Sequence, residues 1–158
     1  VLFAIIYFIR FSVLGYGPTQ DREYRNEMTQ LEAQWKANSL LAENNVDENT
    51  VTLLKDQAKL AEAKQEFVAK CAACHGENAQ GINGPNLTDA YWKHGNSVKE
   101  IFKTIKYGVL DKGMVAWGEN ISPPKIRALA SYIISLQGSN PKDAKAPEGE
   151  KKELTDKY

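Results

Sequence analysis

Cys71-Ala72-Ala73-Cys74-His75 sets two thiols three positions apart, with an imidazole directly after the second. On one helical turn both thiols can add to the vinyl groups of a single haem, and the imidazole then lies beneath the iron as its proximal ligand. Such a covalent link explains how a small domain keeps a haem that stays partly exposed. A bare Cys-x-x-Cys has two rival readings, a redox dithiol or half of a zinc site. A thioredoxin-like dithiol wants a strand–helix–strand context that this sequence lacks. Structural zinc wants four thiolate or imidazole ligands at finger spacing, and the chain has two cysteines and two histidines. Two cysteines permit one haem attachment and no disulfide framework.

An iron that transfers electrons rather than binding gas needs a sixth ligand. The chain has two methionines. Met28 falls in a charged helical pattern near the N-terminus. Met114 falls in the loop Asp111–Gly118, 39 residues after His75, with a helix between that could bring it back across the haem face. A thioether stabilises ferrous iron and raises the potential relative to a second imidazole. The bland alternative makes Met114 a gap-filler in the core. His94, beside Gly95, is another possible ligand but reads more simply as a solvated surface histidine. In Gly84-Pro85-Asn86-Leu87 a backbone carbonyl could accept the Nδ1–H of His75, fixing its tautomer and making it a better donor. Trp92 and Trp117 could wall the haem or donate indole N–H groups to its propionates. Plain core is an equally good account of either, and the sequence leaves the choice open.

The elements that must position these groups are helical. From about Val51 into the haem motif, Leu53, Leu54, Ala58, Leu60, Ala61, Ala63 and Phe67 mark one helical pattern, with Phe67 placed to pack against the terminal helix. Ser97-Val98-Lys99-Glu100 is a capping box that opens a helix burying Ile101, Phe102 and Ile105, and Gly108 can end it. Ser122 with Pro123 and Pro124 opens the next, whose stripe is Ile126, Leu129, Ala130 and Ile133, up to Gly138. No strand pattern competes and no repeat is visible, so the domain is expected to be all-α. From Ser139 onward Pro, Lys, Glu and Asp leave almost nothing to bury, and a solvated tail is expected.

The N-terminus is different material. Val1 to Ile9 is wholly apolar, and after Arg10 the chain stays mostly apolar to Gly15. It does not begin with Met. Sixteen residues of helix cover about 24 Å, short of the ~30 Å hydrocarbon core, so the segment is expected to be the C-terminal part of a transmembrane helix. A cleaved export signal is the rival, opposed by the bulk of Phe3, Tyr7, Phe8 and Phe11 and by the lack of an Ala-x-Ala site. Tyr16-Gly17-Pro18 would break that helix at the membrane boundary. Arg10 would snorkel to the headgroups or meet a partner helix. Thr19 to Asn38 is helical and charged, with a single apolar stripe of Tyr24, Met28, Leu31 and Trp35 that needs a neighbour, and Ala42 to Asn49 is expected to connect. Twenty basic residues balance twenty acidic ones. That balance argues against nucleic acid as a partner and leaves membrane insertion untouched.

Between Val51 and Gly138 the sequence resembles the cytochrome domain of subunit III of the cbb3-type cytochrome c oxidases. The resemblance rests on the haem motif, Gly84 to Asp89, Tyr91-Trp92-Lys93-His94-Gly95, Ile105 to Gly108, Gly113-Met114-Val115-Ala116-Trp117-Gly118 and the closing helix Ala130 to Leu136. The apolar start is similar to that subunit's anchor, and together these cover about two-thirds of the chain. The resemblance implies a class I cytochrome c-like domain with one haem c, ligated by His75 and Met114. It implies a transmembrane helix over 1–17, a helical linker over 18–50, the cytochrome domain over 51–138 and a tail over 139–158. It also implies a single-pass subunit of the bacterial cytoplasmic membrane, with its haem domain on the periplasmic side. As partners it implies a haem–copper catalytic subunit and other membrane subunits, with a reduced cytochrome or a quinol-oxidising complex as donor. Many family members carry two haem domains in tandem, whereas this chain has a single Cys-x-x-Cys-His. Alternatives are a membrane-tethered electron shuttle, the cytochrome subunit of a nitric oxide reductase, and a gas sensor or peroxidase with an open iron position, which Met114 speaks against.

Overall fold

Helix formation begins where the sequence supplies caps and stripes. In a computed structural model, which describes residues 1–15 and 20–156, α3 runs Gln57–Lys70 and is opened by Asp56, whose carboxylate accepts from Ala58 N–H (2.9 Å) and Lys59 N–H (3.3 Å). It buries Leu60, Ala63 and Phe67, one face at helical spacing. The expected start near Val51 is therefore early by six residues. Residues 51–56 have no regular structure; there Arg127 donates to Thr52 O (2.7 Å) and Thr52 Oγ1 (2.9 Å), and Leu54 N–H donates to Ser131 Oγ (2.9 Å). Those bonds tie the segment to the helix Pro123–Ser135.

A short α4, Ala72–His75, follows α3 and carries the motif. The strand β1 is Tyr91–Trp92, and α5 is Val98–Tyr107. The capping box of α5 is complete, with Glu100 N–H donating to Ser97 Oγ (3.3 Å) and Ser97 N–H donating to the Glu100 carboxylate (3.1 Å). Gly108 ends the helix at φ +69°, and a side chain there would meet Met114 O at 2.5 Å. After a 3-10 turn at Leu110–Lys112 comes α6, Pro123–Ser135. It packs on both α3 and α5, and the Phe67 and Tyr132 rings meet edge to face at 5.7 Å. Phe67, Phe102, Ile126 and Leu129 are fully buried at the centre.

Residues 139–156 differ from the expected solvated tail, and the domain is not wholly α. Strand β2, Glu150–Lys151, pairs antiparallel with β1, Lys151 opposite Tyr91 and Glu150 opposite Trp92. Lys152 N–H donates to Ala90 O (2.9 Å), Asn96 Nδ2 to Glu153 O (2.7 Å) and Val98 N–H to the Asp156 carboxylate (2.6 Å). Composition misled here because backbone and charged groups hold this strap, with Leu154 its apolar contact with the core.

The chain divides into two compact units, Val1–Glu43 and Asn44–Tyr158. In the first, α1 spans Leu2–Phe8 and widens into a π-type turn at Ile9–Val13, with every described side chain exposed. Among the described residues no helix is long and apolar enough to cross a membrane. The expected break at Tyr16-Gly17-Pro18 lies outside the described residues. Helix α2 runs Gln20–Asn44, six residues past the expected end at Asn38, and Tyr24, Met28, Leu31 and Trp35 are all exposed on it.

Candidate haem centre

The motif sits where α3 hands over to α4. Cys71 is the shared junction: its N–H still bonds Phe67 O (2.8 Å), and its carbonyl accepts from Cys74 (3.1 Å) and His75 (2.9 Å). Cys71 is half-buried and Cys74 exposed. Burial pushes the Cys71 thiol up to about 11, and the Glu66 charge adds to the rise. A redox dithiol needs the opposite, a thiol lowered toward neutrality by a helix N-terminus or a cation, so the environment speaks against that rival.

The loop from Gly76 to Leu87 folds back over the motif. Gly81 N–H bonds His75 O (2.6 Å), and Ile82 and Gly84 N–H bond Cys74 O (3.1 and 2.8 Å). This brings Pro85 O to 3.0 Å from His75 Nδ1. A carbonyl can only accept, so Nδ1 carries the proton and Nε2 keeps its lone pair for a metal. Burial holds the imidazole below its usual 6.5, outweighing the Pro85 bond, which acts the other way. The neutral, ligating form is thereby favoured. Gly84 lies against the ring itself: a Cβ there would come within 2.8 Å of His75 Cε1 and 2.9 Å of Nδ1. Only glycine leaves the imidazole in place. The far end of the loop is fixed to the exit of α6, through Gln137 Nε2 to Leu87 O (2.7 Å) and Gly138 N–H to Thr88 O (2.7 Å).

Met114 is half-buried against the core. Its loop closes on the end of α5 through a two-way backbone bridge with Val109 (2.9 and 3.1 Å), and Trp117 N–H bonds Ile105 O (3.1 Å). Trp117 is also half-buried, with Lys70 Nζ 5.6 Å from its ring centroid, which places it beside the end of α3. Trp92 is buried and held by the strand pair rather than by the motif. Its indole N–H is buried with no hydrogen-bond partner. An orphaned buried donor fits a site completed by an acceptor such as a propionate. His94 is exposed.

The residues present thus fit a haem c: two thiols on one turn, an imidazole with its tautomer fixed, and an unmatched donor. Sequence reasoning placed the acceptor for His75 within Gly84–Leu87 but missed the contact of Gly84 with the ring. It also missed Lys145 on the strap, whose Nζ donates to Asn83 O (3.3 Å) and Gly84 O (3.4 Å). No local signal announces either, since both are made by chain folding back from elsewhere.

Residues 58–133 match the family model described as cytochrome c oxidase, cbb3-type, subunit III. A cbb3-type cytochrome c oxidase subunit CcoP from Rhodobacter capsulatus is 39% identical over 95 residues, covering 52% of this chain and 31% of that protein. The CcoP subunit of Rubrivivax gelatinosus is 30% identical over 158 residues, 96% of this chain and 51% of the relative. The chain therefore spans about half, or less, of the length of these curated relatives. A cytochrome cL structure from Hyphomicrobium denitrificans aligns with a TM-score of 0.48 and 27% identity, over 50% of this chain and 48% of that one. Through residues 58–133 the chain is similar to the subunit III family of the cbb3-type cytochrome c oxidases.

Proposed function

We propose that this chain relays single electrons as a one-haem cytochrome subunit of a cbb3-type terminal oxidase. The observation that carries the reading is the His75 arrangement, Nδ1–H given to Pro85 O and Nε2 left free, on the turn that also presents Cys71 and Cys74. When bound, haem supplies an iron that changes by one charge without bond chemistry in the protein. Cys71 and Cys74 would hold it by thioether bonds, and the single Cys-x-x-Cys-His of these residues would take one. His75 and Met114 would be the two protein ligands of the iron. The double backbone bridge that shapes the Met114 loop suits a rigid ligand, which keeps reorganisation small. Trp92 would donate to a propionate, and Trp117 would form part of the wall.

As an oxidase subunit the chain would pass its electron to a haem–copper catalytic subunit, fed by a reduced cytochrome or a quinol-oxidising complex. The apolar start would contribute to a single-pass anchor in the bacterial cytoplasmic membrane, with the haem domain on the periplasmic side. The continuous 25-residue α2 favours a fixed subunit over a shuttle on a flexible tether.

Intact-mass analysis of the chain, with its Cys71→Ser/Cys74→Ser double variant, tests the centre. The parent should carry the added mass of one porphyrin, and the variant should lose it. A parent without that mass ends the proposal. The ferrous spectrum should be six-coordinate and low-spin, unshifted by carbon monoxide, whereas Met114→Ala should bind carbon monoxide. Isolation of the membrane complex should recover a haem–copper subunit with this chain, and its absence would remove the oxidase assignment while sparing the cytochrome.

A further inference from the structure

The strap does more than close the edge of the domain. Lys145 is its point of contact with the loop behind His75. The Lys145 backbone N–H donates to Gln80 O (2.8 Å), and its Cβ is seated so close to Gly81 that a side chain there would meet it at 3.0 Å. From that seat Nζ reaches Asn83 O (3.3 Å) and Gly84 O (3.4 Å), and Gly84 is the residue laid on the imidazole. Glu148 lies on the same strap and pairs with Lys145 at 2.6 Å and with Lys93. The result is one carboxylate set between two ammonium groups, beside the proximal loop.

We infer that Lys145 is a positioning and potential-setting residue for the haem centre. Its ammonium clamps the Asn83–Gly84 backbone that rests on His75, and its charge, moderated by Glu148, favours the reduced iron. The inference rests on the proposed haem ligation by His75. Its physical basis is that ferric iron carries one more positive charge than ferrous iron. A nearby cation therefore disfavours the oxidised form and a nearby anion favours it. Lys145 is partly exposed, so salt should weaken the charge effect, while the clamp on the loop depends less on salt.

The test is redox titration of the haem-bearing full chain with Lys145→Gln, Lys145→Arg and Glu148→Gln, at low and high salt. Lys145→Gln should shift the one-electron equilibrium about threefold toward the ferric form, roughly 30 mV downward. Glu148→Gln leaves Lys93 and Lys145 uncompensated and should shift it in the opposite direction. Lys145→Arg should restore the parent value, and both shifts should shrink in high salt. If Lys145→Gln does not accumulate, the upward shift in Glu148→Gln still supports the charge effect. Unchanged potentials in both glutamine variants, or shifts of the same sign, overturn the inference while the cytochrome stands. A parent chain without covalent haem removes both.

Discussion

Helices α6 and α2 carry apolar stripes of similar spacing and put them to opposite use. In α6, Ile126, Leu129, Ala130 and Ile133 are buried against α3 and α5. In α2, Tyr24, Met28, Leu31 and Trp35 stay in the open, Trp35 at 82% exposure. The difference is not propensity. α6 lies between two helices that offer matching faces, within the unit that also contains the Cys71–His75 turn. α2 offers a narrow four-residue stripe on a helix rich in charged and polar residues, too little to build a core of its own. Spacing states which face is apolar, and only the partners decide whether it is covered.

The largest effect that can break this comparison is Phe67→Ala. Phe67 is fully buried and meets Tyr132 across the α3–α6 contact, so its loss should cost about 3–5 kcal/mol in denaturant unfolding. Gly84→Ala comes next. The added methyl must displace the His75 ring from Pro85 O, which should cost about 1–3 kcal/mol and loosen the imidazole, seen as a change in its proton chemical shifts. Ser97→Ala removes one half of the capping box of α5 and should cost about 1 kcal/mol. Trp35→Ala should change the stability of the isolated chain by no more than ~0.5 kcal/mol. If it destabilises the chain as Phe67→Ala does, the two stripes are not opposites after all.

The smallest effect is pH-dependent. Glu48 is held at about 2, first by the hydrogen bond from Lys106 (2.8 Å), with Tyr107 OH (2.9 Å) assisting. Glu148 is held at about 2 by Lys145 and Lys93. A depressed carboxylate stabilises the fold above its ordinary value of 4.5, and that contribution is lost as pH falls from there toward about 2. Lys106 is raised by Glu48, so its share is complete below 10.5 and fades as pH rises beyond it. Hydrogen exchange should therefore show residues 44–50 and the strap opening in acid before the α3–α6 core does. Simultaneous opening would mean that these charges do not hold the periphery separately.

Some of the centre could be read directly from sequence. The Cys71–His75 spacing, the Ser97–Glu100 box and the Ser122-Pro123-Pro124 start are local, and local rules decided them. Phe67 against the terminal helix followed from its position one turn before Cys71. The segment 51–56 is not helical as its pattern suggests, and Arg127 and Ser131, more than seventy residues away, supply its bonds instead. Trp92 looked like core or haem wall with equal force, and its buried, unmatched N–H became visible only with its surroundings in place.

By itself the sequence determined which thiols and imidazole stand together and where along the chain, because that pattern depends on spacing within a single turn. Tertiary structure decided which carbonyl meets His75, that Gly84 must lie flat on the ring, and that the charged C-terminal segment returns as a strap. These depend on residues brought together across long stretches of chain, where burial and geometry, rather than spacing, choose the partner.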